Sequence, residues 1–215
     1  MKTIGILGSG AVGQALGTGF VKYGHPVMIG TRDTTKVSDW IASTGKDAKA
    51  GSFEEAAAYG DAIVLACKGT AAMDVCSMAG AENLKGKLII DATNPIADAP
   101  PEEGVLKYFT SLDRSLMEDL QEKYPDAHFV KSFSCIGSHL MVNPDFGGSK
   151  PTMFICGNND DAKQEVKKVL DLFGFETEDM GPAIAARAIE PLAMLWCIPG
   201  FRENRWGHGF KLLKS

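Results

Sequence analysis

The chain has 215 residues, a formal net charge of −5, 45% hydrophobic and 23% charged residues, an ordinary globular composition that excludes disordered and collagen-like classes. Its length suits one α/β domain of about 100 to 200 residues with a modest extension. Net negative charge without a basic run argues against a nucleic-acid partner. No apolar run is read as approaching the roughly 20 residues of a membrane span, and no signal-peptide pattern is read at the N-terminus. The expectation is a cytoplasmic protein with no membrane partner.

The first predicted element is a buried strand, Thr3 to Leu7, which runs into Gly8-Ser9-Gly10-Ala11-Val12-Gly13 and then an apolar-periodic helix (Val12, Leu16, Phe20). In that context the glycine spacing is a dinucleotide fingerprint. Gly8 permits the tight turn, Gly10 lets the backbone approach a pyrophosphate, and Gly13 lets helix and strand pack closely. The pyrophosphate would sit on the positive helix N-terminus.

The second strand, Pro26 to Gly30, decides the cofactor. Sites for NAD usually place Asp or Glu about 20 residues beyond the glycines to hold the ribose 2′-hydroxyl. Here the strand ends in Gly30-Thr31-Arg32-Asp33-Thr34-Thr35-Lys36, with no acid at the strand end. Arg32 and Lys36 offer two cations, and Thr31 a hydroxyl, where the 2′-phosphate of NADP would lie. Asp33 is read as an N-cap for the next helix. The cofactor expected is therefore NADP (NADPH).

Further along, short β-rich runs alternate with helical stretches, as in a doubly wound, mostly parallel sheet of Rossmann type. A short helix, Phe53 to Tyr59, feeds the continuous apolar strand Asp61 to Cys67, and a helix at Thr70 to Ala81 leads to a strand at Lys87 to Ala92. Asp91 to Gly104 reads as a long loop, Leu112 to Lys123 as a helix stopped by Pro125, and Ala127 to Phe133 as a strand. Asn143 to Pro151 is a second loop. A strand at Met153 to Cys156, a helix at Ala162 to Phe173 and a last strand at Phe175 to Met180 complete the sheet. Pro191 should kink or divide the helical stretch Ala185 to Trp196. The expected organisation is a cofactor-binding domain over residues 1–181 and a helical extension over 182–215, packed on the same domain or on a partner subunit.

Ligands of open α/β sheets bind outside the carboxyl ends of the strands. Besides the glycine turn and residues 31–36, that rule singles out Cys67 and Lys68 on the phosphate side, and Asn94 with Ser134, Cys135 and Ile136 on the nicotinamide side. Lys68 could equally be a solvated lysine, and Asn94 before Pro95 could simply start a turn. Cys135 is read as an inert thiol, since His139 is the only nearby base. The five cysteines form no Cys-x-x-Cys pair and the four histidines lack ligand spacing, so no metal and no disulfide framework is expected. Arg187 and Glu190, three apart on a helix, read as an intrahelical pair. No residue is singled out as catalytic.

Taken together, the glycine turn, Gly30-Thr31-Arg32, Asp91-Ala92-Thr93-Asn94-Pro95, Val130-Lys131-Ser132-Phe133, Ile155-Cys156-Gly157-Asn158 and Ala186-Arg187-x-Ile189-Glu190 resemble the NADPH-dependent reductases of the deazaflavin coenzyme F-420. They are also similar to the cytosolic reductase domain of the STEAP metalloreductases, a member of the same group. The resemblance implies a Rossmann fold, a homodimer, and hydride transfer between NADP(H) and a flavin-like ring stacked over the nicotinamide. It also implies that Thr31, Arg32 and Lys36 are the 2′-phosphate residues. Ser134 stands where the F-420 reductases carry a histidine and the STEAP-like members an asparagine, and the aromatic, basic tail from Trp196 to His208 departs from the family's own. The acceptor implied is F-420, FMN or FAD. Two other readings are a non-catalytic NADP(H)-binding redox sensor, suggested by Ser134, and a reductase of small imines or ketones, which lacks a proton donor and a substrate domain.

Overall fold

The computed structural model describes residues 1–214. The first half alternates strand and helix: β1 (Ile4–Leu7), α1 (Ala11–Lys22), β2 (Val27–Gly30), α2 (Ser38–Thr44), β3 (Ala48–Gly51), α3 (Phe53–Tyr59), β4 (Ala62–Leu65), α4 (Ala72–Ala79), α5 (Ala81–Leu84) and β5 (Leu88–Asp91). The second half adds α6 (Leu116–Lys123), β6 (His128–Lys131), β7 (Thr152–Gly157), α7 (Asp160–Phe173), β8 (Glu176–Asp179) and α8 (Ala186–Glu203).

The eight strands form one sheet in the order β3-β2-β1-β4-β5-β6-β7-β8. The first six are parallel; β7 runs antiparallel to β6, and β8 parallel to β7. The order in which successive strands are laid down reverses between β1 and β4, so a switch point lies at their carboxyl ends, which is where a Rossmann sheet takes its ligand. Every residue of β1 and β4 is buried, as expected for all-apolar strands covered on both faces. One core gathers Leu16, Phe20, Phe133, Phe173 and Phe175. A second core gathers Phe53, Leu84, Leu116, Leu120 and Phe129.

Caps set the helix boundaries. Asn159 Oδ1 accepts from Ala162 N at 2.8 Å to start α7, and Gly174, at φ 93°, ends it in the left-handed conformation that glycine adopts freely. Ser115 starts α6 through a reciprocal capping box with Glu118. This places Leu112 to Arg114 outside the helix and corrects the expected start by four residues, because the cap outranks apolar spacing. Asp33 caps as read, accepting from Thr35 N at 3.1 Å, although what it starts is a 3-10 turn at Thr34–Val37 that precedes α2.

Strand β3, absent from the sequence reading, pairs in parallel with β2. Pro191 does not divide its helix. Both Pro191 and Pro199 lie inside the continuous α8, where tertiary packing against α6 and β7 holds the helix across the missing donors. Together with the 3-10 turn before it, α8 forms a segment Ala183–Glu203 of 21 residues, and an 18-residue window within it has mean hydropathy 1.3 and is 33% buried. By length and composition this helix reaches the span of a membrane, which corrects the expectation that no segment does.

Beyond α8 the chain doubles back. The Trp196 indole Nε1 donates to the His208 carbonyl at 2.8 Å and the two rings stack with centroids 4.9 Å apart. Phe210 O then accepts from Thr152 N at 2.8 Å, which seats the tail against the start of β7.

Candidate cofactor site

The glycine turn has the geometry its spacing predicts. Gly8 sits at φ +137°, and a Cβ there would stand 2.3 Å from Ala66 O. At Gly13 a Cβ would stand 2.1 Å from Gly8 O, so the close approach of α1 to β1 requires its absence. A Cβ on Gly10 would meet nothing within 4 Å, which leaves the room over the turn that a pyrophosphate needs. Ala11 and Val12 open the first turn of α1, where unpaired backbone N–H groups favour an anion. Gln14 Nε2 donates to Ser9 O at 2.9 Å and braces the turn from inside.

Ser9 Oγ and Thr31 Oγ1 lie 3.0 Å apart and join the turn to the end of β2. Thr31 is buried, whereas Arg32 and Lys36 are exposed and form no ion pair among the described residues. Two cations and a hydroxyl thus stand at the β2 end, and the carboxylate there, Asp33, is engaged through Oδ1 by Thr35 N and Thr35 Oγ1. The residues present fit an NADP whose 2′-phosphate lies against them.

At the other end, the loops after β4 and β5 enclose an open cleft of about 550 Å³, lined by Cys67 to Gly69 on one side and by Ala92, Asn94 and residues 96–100 on the other. Gly69 permits that approach, because a Cβ there would stand 1.9 Å from Asn94 O. Lys68 and Asp98 pair at 3.2 Å, both largely exposed, and bridge the two walls. Such an exposed pair adds little stability. Asn94 Nδ2 donates to Ser134 O at 2.8 Å, while its Oδ1 is buried with no protein partner.

Ser134, Cys135 and Ile136 do not line this cleft. All three are buried, Cys135 at 2% exposure, and Ser134 reaches the site through its carbonyl, its own Oγ being unpartnered. Burial pushes the Cys135 thiol up to about 12. The Cys67 thiol is also raised to about 12, by burial first and then by the Asp91 carboxylate. Neither is a thiolate nucleophile at neutral pH. Among the described residues no group of His, Cys, Asp and Glu is placed to hold a metal.

A charged cluster missed in the sequence lies beneath this cleft. Lys131, at the end of β6, is fully buried, with its Nζ 2.7 Å from Asp91 Oδ2 and 3.0 Å from Glu190 Oε1. The same ammonium donates to Thr93 O at 2.8 Å. Burial alone disfavours the ammonium, but Asp91 and Glu190 outweigh it and hold Lys131 above its ordinary value. Glu190 also accepts from Leu116 N and Met117 N, each at 3.0 Å, at the start of α6. The expected Arg187–Glu190 pair is therefore corrected: Arg187 instead reaches Glu118, at 2.7 Å. The available signal was a charge at the end of each apolar strand, LIID and HFVK, since a buried charge demands a partner.

The comparisons with known proteins agree with this geometry. Residues 3–95 match the family described as NADP oxidoreductase, coenzyme F420-dependent. A crystal structure from Arthrobacter sp. FB24, provisionally assigned as an F420-dependent NADP-reductase, superposes at a TM-score of 0.92, covers all of both chains and is 29% identical. Over residues 3–95 the chain resembles this family. The structure of hypothetical protein SMa0349 of Sinorhizobium meliloti superposes at a TM-score of 0.77 over 100% of this chain and 97% of that one, at 26% identity. Rat metalloreductase STEAP3 is 30% identical over 200 residues, 91% of this chain, and the match spans only 38% of that longer protein. These likenesses are to NADP oxidoreductases and reductases, and they accord with a fingerprint turn and a cation-bearing β2 end.

Proposed function

We propose that the protein transfers hydride between NADP(H) and a ring-shaped acceptor of deazaflavin or flavin type: coenzyme F-420, FMN or FAD. In this reading the Gly8–Gly13 turn receives the pyrophosphate, and Thr31, Arg32 and Lys36 hold the 2′-phosphate. Asn94, held by its bond to Ser134 O and lining the cleft, stands beside the nicotinamide amide or ribose. The bound nicotinamide supplies the hydride.

The observation that carries the proposal is the cleft beside Asn94. It is walled largely by small and apolar side chains, Ala92, Ile96, Ala97 and Ala99, with Cys67 and Gly69 opposite. Its volume of about 550 Å³ lies within the range usual for ligand pockets. No acid–base pair stands in it, since its only charges are Lys68 and Asp98 at the rim, paired to each other. A carbonyl or imine would need a positioned proton donor, and the ammonium here, Lys68, is largely exposed and paired with Asp98, whereas ring-to-ring hydride transfer needs orientation and exclusion of water. Asn94 and the apolar walls supply the orientation, and a ring stacked against those walls would displace water from them.

Mixing the purified protein with NADPH and each of oxidised F-420, FMN and FAD tests the proposal. Acceptor-dependent loss of the NADPH absorbance is expected with at least one of them. A protein that binds NADPH but oxidises it with none would overturn the reading.

A further inference from the structure

Lys131 lines no part of the cleft, yet its ammonium reaches both ends of the segment that forms one wall. At the near end it holds Thr93 O at 2.8 Å and Asp91 Oδ2 at 2.7 Å, and Asp91 Oδ1 in turn accepts from Thr93 N at 2.9 Å and Thr93 Oγ1 at 2.7 Å. Thr93 immediately precedes Asn94. At the far end Lys131 meets Glu190, whose carboxylate takes the backbone N–H groups of Leu116 and Met117. The Tyr108 hydroxyl donates to the Glu190 carbonyl at 2.7 Å, a third tie on the same segment.

Between these ends, residues 92–115 contain no helix and no strand, only the isolated bridges Ile96 to Tyr108, Glu102 to Val105 and Ser111 to Arg114. A segment with so little structure of its own takes its position from where it is held. The ammonium donates to Thr93 O and is ion-paired with both Asp91 and Glu190. As a source of stability such a buried charge cluster is a weak device, because apolar residues of the same volume often serve as well.

We propose that Lys131 is a positioning residue. Through Thr93 and Glu190 it fixes the wall that presents Asn94 and Ile96 to the nicotinamide half of the cofactor and to the acceptor. The adenosine half, built on β1, α1 and the end of β2, does not depend on it. The inference rests on the cofactor placement proposed above.

The test is a pair of titrations, NADPH and 2′,5′-ADP, into the unaltered protein, Lys131→Met and Glu190→Gln. Binding of 2′,5′-ADP should stay within about twofold in both variants, as for a site that shares no partner with the change. NADPH should weaken about tenfold or more in Lys131→Met and by a smaller factor in Glu190→Gln, the cost of a misplaced positioning shell. Glu190→Gln keeps the size and one acceptor oxygen, so it carries the test alone should Lys131→Met not fold. Parallel loss of both ligands would show a merely structural role and overturn the inference, as would unchanged NADPH binding in both variants. An unaltered protein that holds NADPH no better than 2′,5′-ADP would instead overturn the cofactor placement, and this inference with it.

Discussion

Asn94 Nδ2 donates to Ser134 O at 2.8 Å across 40 residues of sequence and ties the loop after β5 to the loop after β6. The bond fixes the amide plane and leaves Oδ1 as a buried acceptor facing no protein donor. Asn94→Ala removes this tie between the two loops and should weaken NADPH about five- to tenfold, the worth of roughly 1 to 1.5 kcal/mol, while 2′,5′-ADP binds unchanged. Fluorescence or calorimetric titration of the two ligands measures the difference.

Arg32 is exposed and makes no ion pair among the described residues, so it is available to a phosphate without first breaking a bond. Arg32→Ala should cost NADPH roughly 1.5 to 3 kcal/mol, on the order of tenfold to a hundredfold in affinity, and leave NADH nearly untouched. Lys36→Ala should act in the same direction by less, because ammonium lacks the bidentate fork of guanidinium. Dissociation constants for the two nucleotides decide this, and equal losses would refute the 2′-phosphate assignment.

Gly8 and Gly10 should separate stability from binding. An alanine Cβ at Gly8 would stand 2.3 Å from Ala66 O at a φ of +137°, so Gly8→Ala should lower stability by about 1 to 3 kcal/mol or more. At Gly10 the Cβ would meet no atom within 4 Å. Gly10→Ala should therefore melt at the temperature of the unaltered protein and yet bind NADPH poorly, since the methyl group fills the space the pyrophosphate requires. Thermal denaturation with and without NADPH distinguishes the two.

Glu118 ties α6 to α8. The Arg187 guanidinium beside it, helped by the hydroxyl and backbone of Ser115, lowers its carboxyl from 4.5 to about 2. A carboxylate depressed in the folded state contributes stability that is complete above about pH 4.5 and is lost as pH falls toward 2, because the unfolded chain takes up the proton first. Urea midpoints measured from pH 6 down to 2 should fall more steeply in the unaltered protein than in Glu118→Gln. Curves of the same slope would remove Glu118 as the group responsible.

The fold was legible where apolar runs were long and continuous, as at IGIL and AIVL, and where a cap or glycine punctuated a helix, as at Asn159 and Gly174. Strand β3 was not, because its sequence AKAG has little β-propensity and becomes a strand by pairing with β2. The half of the site proposed to hold adenosine falls within one strand-turn-helix-strand unit, Thr3 to Lys36, where local spacing is informative. The charged cluster was not legible in this way. Lys131 and Glu190 are 59 residues apart and Arg187 and Glu118 are 69 apart, whereas the three-residue spacing of Arg187 and Glu190 offered a local pair that tertiary contacts override. Ser134 was read from the strand-end rule, which locates a loop but cannot say which of its atoms faces the cleft.

The most direct test of hydride transfer is anaerobic mixing of the NADPH-loaded protein with one equivalent of oxidised F-420, FMN or FAD, following the nicotinamide and acceptor absorbances together. The two should fall in step, one acceptor reduced for each NADPH oxidised, with the rate lowered when the transferred hydrogen is deuterium. An NADPH that stays bound and reduced beside every oxidised acceptor would contradict the account.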